Sequence, residues 1–173
     1  MLIRDALPAE LAEVAEIRVA AYRADGFLAA GSEYEATLRA LGADGSGQVL
    51  VATDADGTLA GTVMLRNWPD TEPVVRGPGE AEIRALAVRP QARRLGIGRA
   101  LLAAVIERAL SEGVRHLVLC SRPEMRTAHF LYEEAGFVRL PERDWSPIPG
   151  VALMAYGLML PAAQQAGRNL ARH

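Results

Sequence analysis

Apolar residues recur at helical spacing in some stretches of the chain and run nearly unbroken in others, and this change of period lays out the elements. Leu11, Val14, Ala15 and Tyr22 share one helical face and predict a first helix from Pro8 to about Arg23, ended by Asp25-Gly26. A second helix is predicted from Ser32, a fitting N-cap, to Leu41, with Gly42 just past its end. Gln48 to Thr53 and Leu59 to Asn67 are strand-like runs joined by DADG, the mark of an antiparallel hairpin. The segment WPDTEPVVRGPGE reads as a loop, and Glu80 to Val88 as a strand stopped by Pro90.

Beyond it, Ile97, Leu101 and Val105 place a helix over residues 97–111, closed by Glu112-Gly113. Val114 to Cys120 is almost continuously apolar and fits a strand inside a sheet. With Leu2 to Ala6 as a short first strand, a helix from about Met125 to Ala135 and strands near Phe137 to Leu140 and Val151 to Leu160 complete the order β-α-α-β-β-β-α-β-α-β-β. No repeat or linker divides the chain, so one domain over residues 1–160 is expected, with residues 161–173 as a tail or short helix.

Half of the 173 residues are apolar, enough for a substantial core. The formal charge of −2 provides no global field toward nucleic acid or an anionic membrane, so any anion must be held locally. All 19 basic residues are arginine, which reads as coding bias and gives no meaning to any single choice of Arg over Lys. One cysteine excludes an internal disulfide, no signal-like segment opens the chain, and no apolar run reaches membrane-spanning length; a cytoplasmic protein without a membrane or nucleic-acid partner is expected.

The local anion site is RRLGIGRALL, Arg93 to Leu102. A Rossmann fingerprint needs glycine where Leu101 stands, and a Walker A loop needs a lysine that the chain lacks. What remains is R-x-x-G-x-G feeding a helix, where backbone N–H groups and the positive end of the helix dipole can receive a pyrophosphate.

With a strand before this loop and AHFLYEEAGF downstream, the chain resembles the GNAT family of N-acetyltransferases over nearly its whole length to about Leu160. The resemblance implies an α/β fold, a mixed and splayed β-sheet with helices on both faces, and acetyl-CoA as co-substrate. It implies cofactor contacts from Leu86, Ala87 and Val88 on the fourth strand, from Arg93, Arg94, Leu95, Gly96, Ile97, Gly98 and Arg99 on the loop, and from Tyr132. Tyr132 stands where members protonate the departing sulfur, and Glu82, fourteen residues before Gly96, where some take the amine proton; Glu80 competes for that role. Three departures stand out: Arg94 where many members have glycine, Leu95 where they have a basic residue, and Met125 where they have asparagine.

Acetyl transfer to an amine needs a base, oxyanion donors and an acid for the thiolate, and backbone N–H groups of Leu86 to Val88 are the expected oxyanion donors. Cys120, where other members place a carboxylate, lies in an apolar strand and reads as a core residue. His116 and His129 lack metal-ligand spacing, so no metal is expected. The acceptor, a small-molecule or protein amine, is expected among Tyr22, Glu33, Tyr34, Trp68 and Trp145, and a homodimer is left open. The rival function is a non-catalytic acyl-CoA sensor or interaction module on the same fold.

Overall fold

The computed structural model describes residues 1–29 and 32–162; all but the first two residues of the expected tail lie outside the described residues. Seven strands form one mixed, open sheet in the order β1-β2-β3-β4-β5-β7-β6. The strands are β1 (Leu2–Asp5), β2 (Gln48–Thr53), β3 (Leu59–Asn67), β4 (Glu80–Val88), β5 (His116–Ser121), β6 (Val138–Arg139) and β7 (Met154–Met159). Four α-helices are present among the described residues: α1 (Leu11–Ala24), α2 (Glu33–Ala40), α3 (Ile97–Ser111) and α4 (Arg126–Glu134). The β1–β2, β2–β3, β5–β7 and β6–β7 pairs are antiparallel, whereas β4 and β5 run parallel.

Boundaries depart from the sequence expectation where turns intervene. Pro8–Glu10 is a separate 3-10 turn, closed by the Glu10 carboxylate on the Leu7 N–H at 3.1 Å, so α1 starts three residues late. Val114 and Arg115 belong to the approach to β5, where the Val114 N–H still bonds Ala109 O at the end of α3. β7 starts only at Met154, because the preceding residues complete the turn after Gly150 and the Trp145–Leu153 bridge.

The chain forms two compact units, each from two segments: Met1–Arg66 with Arg84–Val105, and Asn67–Ile83 with the described residues from Ile106 onward. In the first, Val14, Ile17 and Ala21 of α1 pack with Val51, Leu59 and Ala87. Leu38 of α2 packs with Val19 and Leu28, and the Ser32 hydroxyl caps the helix by accepting the Tyr34 N–H at 3.2 Å. Arg18, buried in this unit, donates to the Leu38 and Leu41 carbonyls at 3.1 and 2.6 Å, at the end of α2 where helix carbonyls lack partners. In the second unit Val74 and Val75, from the loop between β3 and β4, pack with Val118 and Ala155.

Strand β4 passes from one unit to the other. Its ladder with β5 covers Glu80 to Ile83, and two residues later Ala85 has φ 52°, a left-handed conformation that only a bulge or bend imposes on a non-glycine residue within a strand.

Candidate active site

The second unit holds both acids proposed for β4, and their surroundings differ. Glu80 meets the Arg143 guanidinium with two oxygens, at 2.7 and 2.8 Å, and also accepts the Arg76 N–H at 2.9 Å with His116 Nδ1 at 3.2 Å. Burial alone would raise its pKa, but these donors outweigh burial and hold the carboxyl down at about 2. A carboxylate so committed is a poor proton acceptor near neutral pH. Glu82 is 3% exposed, and its Oε2 accepts the Glu72 N–H at 3.1 Å. Period two puts both acids on one face of β4.

Tyr132 is buried on α4 beside Phe137 and Tyr156, each with ring centroids 6.0 Å away. Burial, with a smaller contribution from Tyr156, pushes its pKa up to about 12, so the hydroxyl keeps its proton at neutral pH and is available as a donor. One turn earlier on the same helix, His129 lies 5.5 Å from the Tyr156 ring, its Nε2 at 3.0 Å from Ser121 Oγ and 2.9 Å from Arg122 O. A carbonyl can only accept, so Nε2 carries the proton. His129 thereby ties α4 to the end of β5.

The first unit holds the expected anion loop. Arg93 to Gly96 and Arg99 are exposed, Gly98 is half-buried and Ile97 is buried at the start of α3. Arg94 and Gly96 both take left-handed φ, 66° and 77°. Glycine is the natural residue for such a backbone, and Arg94 adopts it against steric cost. A Cβ built on Gly96 meets nothing within 4 Å, so the backbone there is open to an approaching group. The Ala100 N–H bonds Gly96 O at 3.0 Å, and the N–H groups of Ile97 and Gly98 have no carbonyl one turn earlier within the helix.

The Arg93 side chain is committed elsewhere: it grips Asp25 at 2.7 and 3.0 Å and the Ala21 carbonyl at 3.2 Å. It thus anchors the loop to the end of α1, a role that the sequence reading did not assign. Beneath the loop, a Cβ on Gly61 would come within 3.0 Å of Leu101, Ile97 and Ala87 O, so α3 seats closely on β3 only because position 61 lacks a side chain. Ala87 is buried, and Leu86 and Val88 are half-buried, beyond the bend at Ala85.

The geometry of this loop agrees with the match of the Acetyltransferase (GNAT) family model to residues 11–137. The chain belongs to that family. The GNAT chain is 36% identical over 132 residues to a mycothiol acetyltransferase of Stackebrandtia nassauensis, covering 76% of this chain and 40% of that one. It is 34% identical over 138 residues to an aminoglycoside N(6')-acetyltransferase type 1 of Stenotrophomonas maltophilia, covering 78% and 84%. The chain spans a quarter to about 40% of the length of the mycothiol acetyltransferases it matches. Its fold is that of a Sinorhizobium meliloti phosphinothricin acetyltransferase in complex with AcCoA, with TM-score 0.65 at 22% identity over 92% of this chain and 88% of the other.

In this GNAT chain the residues expected to line an acceptor site belong to different units. Tyr22 stacks near Phe27 and Tyr34, at 6.3 and 5.8 Å, in the first unit. In the second, Trp68 is 44% exposed, while Trp145 donates its Nε1–H to Cys120 Sγ at 3.4 Å. Cys120, expected as a buried core residue, packs against the Val74, Val75, Val118 and Ala155 cluster but is only half-buried, and its sulfur accepts this hydrogen bond. Among the described residues no group of three His, Cys, Asp or Glu side chains could hold a metal ion, and no helix is long and apolar enough to cross a membrane.

Proposed function

We propose that the chain is an acetyl-CoA-dependent N-acetyltransferase, with residues 1–160 forming the transferase domain and direct transfer to an amine in a ternary complex. The observation that carries this reading is the exposed loop with left-handed backbone at Arg94 and Gly96, feeding α3 inside the segment that the family model matches. Backbone N–H groups from Arg94 to Arg99 bind the pyrophosphate, with the dipole of α3 behind them. The fit rests on the open space at Gly96, because it lets the phosphates approach the backbone.

Acetyl-CoA, when bound, supplies the acetyl thioester. Glu82 takes the proton of the amine as the new C–N bond forms, directly or through water, and the paired Glu80 does not compete. N–H groups of Leu86 to Val88 stabilise the negative charge that builds on the acetyl oxygen. Tyr132 returns a proton to the departing thiolate. The likeness to a mycothiol and an aminoglycoside acetyltransferase favours a small-molecule amine as acceptor, and both a homodimer and a protein acceptor stand outside this support.

Thiol release from acetyl-CoA, measured over amino acids, dipeptides, aminoglycosides and simple amines, tests the reading. At least one amine should drive release, and Tyr132→Phe should lower kcat on that amine by roughly 10²-fold while acetyl-CoA affinity changes by less than about threefold. Full kcat in Tyr132→Phe would remove Tyr132 as the acid. Tight acetyl-CoA binding with no release on any amine would favour the sensor reading.

A further inference from the structure

The mobile-looking sequence between β3 and β4 is tied down at several points, and the ties converge on Glu82. Glu72 donates its backbone N–H to the Glu82 carboxylate, and the same residue opens a turn closed by the Val75 N–H on Glu72 O at 3.1 Å. Arg143 holds that turn from outside: its Nη1 donates to Val74 O at 3.1 Å while both its terminal nitrogens hold Glu80. Glu80 in turn accepts the Arg76 N–H, and Arg76 Nη2 donates to Glu142 O at 2.9 Å, next to Arg143. Val74 and Val75 fill the core underneath.

The guanidinium spans a carboxylate and a carbonyl with two separate nitrogens, whereas an ammonium donates from a single centre, so at position 143 the structure gives arginine a meaning that the all-arginine composition withheld. We infer that Arg143 is a positioning residue for Glu82: by clamping Glu80 and Val74 together it fixes the turn whose Glu72 N–H aims the Glu82 carboxylate. This rests on the reading of Glu82 as the base. It adds to the reaction a residue 61 positions away that touches neither acceptor nor cofactor in the proposed scheme.

A double-mutant cycle tests it, with amine-dependent thiol release and single-amide hydrogen exchange as readouts. Arg143→Met should lower kcat about 10-fold with KM for acetyl-CoA unchanged, and speed exchange of the Glu72 amide about 10-fold. In a Glu82→Gln background the same substitution should cost nothing further in kcat. Arg143→Lys, which keeps a charge for Glu80 without the reach to Val74 O, should regain the melting temperature but not kcat, and it carries the cycle if Arg143→Met does not fold. An equal loss in the Glu82→Gln background, or an unchanged Glu72 amide, overturns the inference and leaves the proposed function standing. Wild-type kcat in Glu82→Gln overturns the assignment of the base and the inference with it.

Discussion

The two regions that carry the proposed chemistry are built from opposite materials. The loop at the start of α3 is backbone: exposed, left-handed at Arg94 and Gly96, and anchored to Asp25 by the Arg93 side chain. The start of β4 is side chain: a buried Glu82 and a Glu80 paired with Arg143, His116 and the Arg76 N–H. A site made of backbone conformation depends on local sterics and is insensitive to pH. A site made of paired charges depends on residues distant in sequence and is lost when one of them is neutralised.

Acid should separate the two most strongly. The Glu80 pKa is depressed to about 2 in the folded chain against about 4.5 unfolded, so its stabilisation is fully present above about pH 4.5 and is lost as the pH falls toward 2. The loss is on the order of 2–3 kcal/mol. Urea unfolding at pH 6 and pH 3 should show a smaller drop for Glu80→Gln, which has no such charge to lose, than for the wild type. Equal drops would mean that the Arg143 pair contributes nothing beyond its desolvation cost.

The backbone region should respond to Arg94→Gly and to little else. Removing the left-handed strain gains roughly 1–2 kcal/mol, and the greater freedom of glycine in the unfolded chain returns part of it, so a net stabilisation of about 0.5–1 kcal/mol is expected. Acetyl-CoA affinity, measured by calorimetric titration, should stay within about threefold, because backbone donors make the contact. Destabilisation would show that the Arg94 side chain makes contributions outweighing its strain.

The same contrast explains what the sequence disclosed. Spacing and turn signals together located the seven strands and four helices of the described residues, since DADG, Pro90, Gly113 and Gly136 punctuate them and each apolar face declares its period. The glycine loop was legible for the same local reason. Ala85 was not: nothing about an alanine inside EIRALAV marks a left-handed residue, and the bend lies just past Ile83, where the β4–β5 ladder ends. The pairing that sets Glu80 apart from Glu82 was equally hidden. It turns on Arg143, which reads in sequence as one more loop arginine and acquires meaning only when β5, β7 and the β3–β4 loop bring it to Glu80. Gly61 gave no turn signal either, as its constraint is the close seat of α3.

Thermal unfolding with and without ligand tests the central claim, that this loop binds acetyl-CoA. A ligand specific for the folded state at a hundredfold excess over Kd stabilises by roughly 2.7 kcal/mol, or about 5–11 °C for a chain of this size. Acetyl-CoA and coenzyme A should both give a shift of that size, because phosphates and pantetheine make the contacts, whereas ATP and NAD should give little. No shift with acetyl-CoA up to about millimolar concentration, in protein shown to be folded, would contradict the account of the loop and of the reaction built on it.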